Sequence, residues 1–397
     1  MQSVIPAAEP SRGRVALFMP SLAGGGAERV MVTLANAFAA HRLGVDLVLA
    51  DARGELRDRV APAVRVVDLE AGRVARSLVP LARYLRRERP RAMLSFLNHA
   101  NVVAILARRL AAVPLRLVIS ERNHPSADIA LRGGPRARLL LALMRLTYPW
   151  ADRIVAVSHG VAEDLEARLR LPAGRVVTIR NPIVAPHLTT LADAPLDHPW
   201  LAPGSPPVIL GVGRLSPQKD FATLIRAFRA VRARRPARLV ILGEGEQRAE
   251  LEALIAAEGL GADVALPGFE PNPLRYMRRA AMLALSSRPE GLPGALIEAM
   301  ACGRPVVATD CPSGPAEILE NGRWGRLVPV GDADAFAAAI EATLDDPAPP
   351  AVAERAAAFG VEAALSAYLN VLSLEAVPAA AEQSAGACHA SARPVDA

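Results

Sequence analysis

The chain has 397 residues, 52% of them apolar and 22% charged, with a net charge of +6. This is length enough for two domains and apolar content enough for two cores, which excludes a disordered or fibrous chain. Three cysteines (Cys302, Cys311, Cys388) fall in no paired or metal-ligand spacing, so a disulfide framework and a zinc site are not expected and a reduced, cytoplasmic compartment is.

No positively charged start precedes an apolar h-region, so no secretory signal is expected, and no apolar run reaches spanning length. "RVALFM" (14–19) reads as a strand, followed by a glycine loop and a helix to about Ala40. Further strands are expected at 45–50, 65–69, 92–96, 115–120, 152–158 and 176–181. They are rich in Val, Ile and Leu without clean alternation, as parallel strands buried on both faces should be. From 182 to 207 proline recurs with little periodicity, and the linker is placed at 186–207. The pattern restarts at 208–213 and continues at 237–243, 263–268, 282–287 and 305–310, with helices at 220–234 and 246–259 between. A last helix is expected over 350–376, then a disordered tail over 377–397 with few bulky residues. The result is an α/β chain of two doubly wound domains, 1–185 and 208–349, facing one another. Ligands are expected in the cleft between them, at the carboxyl ends of the strands.

Charge is uneven. Between Arg73 and Arg145 there are fifteen arginines against three acids (Glu88, Glu121, Asp128), a net +12, so the rest of the chain nets −6. A field of one sign implies an anionic partner surface. No nucleic-acid motif accompanies it and aromatics are only 4%, so nucleic acid is not expected. "PRARLLLALMRLTYPW" (135–150) sets Arg136, Arg138 and Arg145 among leucines, which suits a helix on an acidic bilayer. A helix that buries its leucines and solvates its arginines is the plainer alternative.

Three segments carry candidate chemistry. In "SLAGGGAERV" (21–30), Gly24, Gly25 and Gly26 let backbone approach a ligand at a helix N-terminus, although a tight turn explains them too. In "GVGRLSPQKDF" (211–221), Arg214 and Lys219 follow a strand and can reach one polyphosphate from two sides. Lys219 is the only lysine among 46 basic residues. Drift to arginine accounts for the scarcity of lysine, not for where this one stands. In "RPEGLPGALIEAM" (288–300), Glu290 sits in a loop and Glu298 inside the next helix. The amides of Gly291, Leu292 and Gly294 can point at an anion, and Glu298 can accept from a diol such as ribose. Ordinary loop and helix charges are the alternative, which the Gly-Pro architecture disfavours.

The ordered set resembles family 4 retaining glycosyltransferases of the GT-B fold. The matching segments are "GGGAER", "ADRIVAVSHG" (151–160), "RNP" (180–182), "GVGRLSPQKDF", "ILGEGEQRAELE" (241–252), "PEGLPGALIEAM" and "PVVATDCPSGPAEIL" (305–319), over roughly residues 14 to 372. "ISERNHP" (119–125) and "DCPSGPAEIL" (310–319) together resemble the branch building bacterial surface polysaccharides and lipid-linked oligosaccharides. The resemblance implies two Rossmann-like domains, an N-terminal one for the acceptor and a C-terminal one for a nucleotide sugar. It implies that Arg214 and Lys219 bind the donor diphosphate, Glu298 the ribose and Glu290 the donor sugar. It further implies that amides at Gly291–Gly294 contact phosphate or sugar, and that Gly24–Gly26 approach the diphosphate and acceptor. Relatives carry a sugar-contacting histidine where this chain has Arg122, with His124 two residues on. Arg122, Asn123 and His124 all remain open for that contact, as does a roleless loop position for His124. His159 is expected to start a helix.

The implied reaction retains anomeric configuration and uses no metal and no cofactor. A uridine diphosphate sugar is the favoured donor by branch resemblance, with GDP-mannose the alternative. The implied acceptor is a glycan or polyprenyl diphosphate, reached from the inner face of the plasma membrane. An epimerase of the same fold and a non-catalytic nucleotide-sugar binding protein compete. A pyridoxal-dependent phosphorylase is disfavoured, since Lys219 pairs with Arg214.

Overall fold

A computed structural model of the chain describes residues 14–374, so the expected 377–397 tail lies outside the described residues. Seven strands form the first sheet: β1 (Val15–Met19), β2 (Val45–Leu49), β3 (Val64–Asp68), β4 (Ala92–Phe96), β5 (Arg116–Glu121), β6 (Arg153–Ala156) and β7 (Val176–Thr178). Six form the second: β8 (Val208–Val212), β9 (Arg238–Leu242), β10 (Val264–Gly268), β11 (Met282–Leu285), β12 (Val306–Thr309) and β13 (Arg326–Val328). The orders are 3-2-1-4-5-6-7 and 10-9-8-11-12-13, with every pairing parallel.

Strands β1, β2 and β4 are buried at every residue, which is why their sequences run apolar without alternating. Asp46 breaks the run in β2 and is fully buried. It accepts hydrogen bonds from Arg14 Nε (2.8 Å), Arg65 Nε (2.9 Å) and the Tyr84 hydroxyl (2.6 Å), so its charge is matched inside the fold. In each sheet the chain reverses its direction of growth beside the first strand, between β1 and β4 and between β8 and β11. Those reversal points open the crevices in which doubly wound sheets hold ligands.

Two expected segments differ. The stretch read as linker contains a short helix (Leu188–Ala192) and a turn (Pro199–Leu201). His198 packs edge-on to Tyr276, with ring centroids 5.7 Å apart, fastening this stretch to the second domain. The last helix is not continuous. Helix Val352–Ala356 ends in a turn, and a new helix, Val361–Leu372, starts after Gly360. The break has a backbone cause: the Phe359 carbonyl accepts from the Ile183 and Val184 amides, both at 3.0 Å, rather than continuing a helical ladder. The final helix then returns to the first domain, where Tyr368 is fully buried near Phe96.

Between the sheets the domains touch at two ends of the cleft. At one end Ser158 Oγ donates to the Gly291 carbonyl (2.8 Å). Beside it Glu317 accepts from Arg180 Nε (3.0 Å) and the His159 amide (2.8 Å). At the other end Arg59 Nη2 donates to the Pro271 carbonyl at 2.9 Å.

Candidate active site

The second domain builds its part of the site at the β8–β11 reversal. After β8 the chain turns through Arg214 and Lys219 before the helix Phe221–Arg234. After β11 it passes Glu290 and enters the helix Gly294–Ala301. The two loops are sewn together. The Arg288 amide donates to the Gln218 carbonyl (2.8 Å), Gln218 Nε2 to the Pro289 carbonyl (3.1 Å), and Ser286 Oγ to the Lys219 carbonyl (2.7 Å). Arg288 also pairs with Asp220 at 3.0 Å.

Lys219 and Glu290 meet directly: Nζ stands 2.5 Å from Oε1. The same oxygen accepts from Ser287 Oγ at 2.6 Å. The Lys219 side chain is 19% exposed and that of Glu290 7%. The lysine stem lies across Gly213, where a methyl group would stand 3.0 Å from Cε, 3.1 Å from Cδ and 3.2 Å from Cγ. A side chain at 213 would therefore displace the stem. Arg214 is exposed and has no ion-pair partner among the described residues.

At Gly291 the two domains approach closely. A Cβ there would come within 2.0 Å of the Arg122 carbonyl oxygen, so only glycine fits. The Gly291 and Leu292 amides donate to no acceptor among the described residues. Gly294 opens the following helix, where unsatisfied first-turn amides favour an anion. Glu298, one turn further, is half-buried, and its carboxylate makes no hydrogen bond or ion pair among the described residues. Burial pushes its carboxyl above the ordinary value, and Arg29 and Arg59 of the first domain pull it part of the way back.

The open choice at 122–124 is narrowed by placement. Arg122 is 7% exposed, donates from Nη2 to Asn181 Oδ1 (2.5 Å) and sits 4.3 Å over the Phe96 ring. Its Nη1 is buried without a partner, and burial lowers its pKa. Asn123 and His124, by contrast, line one cavity with Gln218, Pro289 and Glu290. His124 is also a helix cap: Nδ1 accepts from the Ala127 amide at 3.4 Å and stands 3.4 Å from Asp164 Oδ2. Asn123 and His124 thus share a cavity with Glu290, while the Arg122 side chain is held by Asn181 and Phe96. His159 starts the helix His159–Leu169, capped by Ser158.

The glycine loop opens the helix Gly26–Ala40. Two carboxylates close over it, Glu28 from its own helix and Glu55 from the segment after β2. A methyl at Gly25 would meet Glu28 Oε2 at 2.5 Å, and one at Gly24 would meet Glu55 Oε2 at 3.2 Å. Glu28 was visible within "GGGAER", but the fold-back of its side chain over Gly25 was not. Ser287 and Gln218 were also missed; their only signal was adjacency to Glu290 and Lys219.

Residues 24–185 match the family described as Glycosyltransferase Family 4, and residues 206–346 that described as Glycosyl transferases group 1. One relative is the N-acetylgalactosamine-N,N'-diacetylbacillosaminyl-diphospho-undecaprenol 4-alpha-N-acetylgalactosaminyltransferase of Campylobacter jejuni. It is 31% identical over 353 residues, 84% of this chain and 90% of that one. The chain belongs to glycosyltransferase family 4. Another relative is the lipopolysaccharide core biosynthesis glycosyltransferase LpsE of Rhizobium meliloti, 29% identical over 88% of this chain and 96% of its own. Among solved structures, Anabaena HepE in complex with UDP-glucose superposes with a TM-score of 0.74. It is 22% identical, with 91% of this chain and all of that one covered. The two facing parallel sheets are the GT-B fold, and this glycosyltransferase carries its paired glutamates and basic residues where the second sheet reverses.

Proposed function

We propose that this glycosyltransferase moves a sugar from a uridine diphosphate sugar to a polyprenyl-diphosphate-linked or glycan acceptor in cell-surface polysaccharide synthesis, with retention of configuration. The observation that carries the donor site is the convergence of Arg214, Lys219, Glu290 and Glu298 at the β8–β11 reversal, beside two amides without acceptors. Arg214, Lys219 and the amides of Gly291, Leu292 and Gly294 stabilise the departing diphosphate, Glu298 holds the ribose, and Glu290 with His124 meets the sugar. Arg122 acts through its backbone, setting the 122–124 turn against Gly291. The domain up to residue 185 takes the acceptor and residues 208–349 the donor. The carboxylates at Gly24 and Gly25 suit acceptor hydroxyls better than phosphate. HepE's complex with UDP-glucose supports the uridine choice, and the Campylobacter relative's diphospho-undecaprenol name supports the acceptor class.

No helix of the described residues is long and apolar enough to cross a membrane. The leucines of helix Gly134–Thr147 do not all turn inward: Leu139 and Leu146 are 61% and 60% exposed, beside exposed Arg136, Arg138 and Arg145. Trp150 follows, with the Arg109 guanidinium 4.1 Å over its ring. We take this face as a peripheral contact with anionic lipid on the inner leaflet, where the acceptor's diphosphate would lie.

Thermal-shift titration with UDP, GDP and their sugars tests the donor, followed by transfer to a polyprenyl-diphosphate acceptor with the product anomer read by NMR. Stabilisation by UDP and an anomer matching the donor's are expected. No response to any nucleoside diphosphate would overturn the reading. Glu290→Ala should still bind nucleotide and lose most transfer.

A further inference from the structure

Lys219 and Glu290, assigned above to the donor's diphosphate and sugar, are here assigned to each other. We propose that Glu290 has a second role: it is the counter-ion that holds Lys219 before the donor binds and recaptures it from spent nucleotide. The site would then favour the loaded donor over free nucleoside diphosphate. This inference rests on the donor-site reading above.

Three features support it. The pairing is selective: Lys219 has a carboxylate at 2.5 Å, while exposed Arg214 has none among the described residues. The exchange needs only a side-chain swing, because the loops bearing the pair are tied by the Arg288–Gln218, Gln218–Pro289 and Ser286–Lys219 bonds. A lysine on a thin, rotatable stem can make that swing. Lastly, both bonds to Glu290 fall on Oε1, from Lys219 and Ser287, and Oε2 accepts none from the described residues. A second acceptor atom is thus free beside a cavity shared with Asn123, His124 and Gln218.

The energetic consequence follows from burial. A diphosphate that draws Lys219 away leaves a carboxylate of 7% exposure with the Ser287 hydroxyl as its one remaining donor. Stranding a buried charge in this way is costly. A nucleotide sugar offsets the cost, because its sugar hydroxyls donate to Glu290. Free nucleoside diphosphate brings no such donors and bears the whole cost. After transfer, Glu290 would compete for Lys219 and hasten product release.

Calorimetric titration of wild type, Glu290→Gln and the double variant Lys219→Met/Glu290→Gln with UDP and with uridine tests this. The amide keeps the shape of Glu290 and removes the counter-ion. Glu290→Gln should bind UDP about tenfold tighter than wild type, ~1.4 kcal/mol, with uridine affinity unchanged. The double variant should lose that gain. UDP affinity that is unchanged or weaker in Glu290→Gln overturns the inference while leaving the donor site standing. An equal gain for uridine also overturns it, since uridine makes no demand on Lys219. Wild type that binds neither UDP nor GDP overturns the donor-site reading and this inference with it.

Discussion

Lys219→Arg keeps the charge and changes the shape. The lysine stem lies on Gly213 within 3.0–3.2 Å of where a methyl would be, and its ammonium reaches Glu290 at 2.5 Å with 19% of the side chain exposed. An arginine must fit a planar fork into a slot that holds a single ammonium. The fork is pushed outward, so one charge-assisted hydrogen bond to the donor diphosphate is lost or badly aimed. Such a bond contributes roughly 1.5–3 kcal/mol, which corresponds to about 10- to 100-fold in donor affinity. Steady-state transfer at varied nucleotide sugar, with calorimetric binding of the nucleoside diphosphate, should show kcat/KM and affinity falling together by that factor. Lys219→Met should fall at least as far. If Lys219→Arg keeps kcat/KM within twofold of wild type, the lysine is a survivor of coding drift with no special geometry.

Gly291→Ala places a methyl 2.0 Å from the Arg122 carbonyl and should cost about 1–3 kcal/mol by overpacking; an unchanged calorimetric Tm would contradict the close domain approach. For Asp46, burial by itself would push the carboxyl up, but hydrogen bonds from Arg65, Arg14 and Tyr84 outweigh it and hold the group below its ordinary value. Its contribution is therefore present above the unfolded-state pKa and lost as pH falls through the lower folded one. Asp46→Asn should lower stability at pH 7 by roughly 3–5 kcal/mol and flatten the loss of stability below about pH 4 in denaturant titrations. Binding to anionic phosphatidylglycerol vesicles should weaken several-fold as salt rises and drop again in Leu139→Ser/Leu146→Ser. Equal binding to neutral vesicles at high salt would rule out the lipid face.

Each strand expected from an apolar run appears: central strands such as β1, β2 and β4 are buried at every residue and run apolar, and the partly exposed edge strands β3 and β10 keep enough Val and Leu to show. The short edge strand β13 went unread: Arg326–Val328 has three residues, one of them exposed, too few for a period. The break at Gly360 was also missed. From Val352 to Leu372 the sequence is mostly helix-prone and Gly360 is its one local break signal; what fixes the interruption is a pair of amides from Ile183 and Val184, far away in the chain. A single glycine inside a helical pattern does not by itself show that distant amides will claim the carbonyl before it.

The candidate site divides along the same line. Glycine, proline and acid spacing placed Arg214, Lys219, Glu290 and Glu298 on the correct loops and helix, since turns and helix starts are local. Pairing is not local. That Lys219 would sit on Glu290, that Arg122 would turn inward to Asn181, and that Glu28 would fold over Gly25 all depend on side-chain packing across segments. A motif can therefore nominate two opposite charges for one ligand without showing that they neutralise each other before it arrives. For this enzyme that difference matters. Two free charges would bind spent nucleotide and donor alike, whereas a preformed pair must be separated, and only a ligand offering hydroxyls to Glu290 as well as phosphate to Lys219 satisfies both halves.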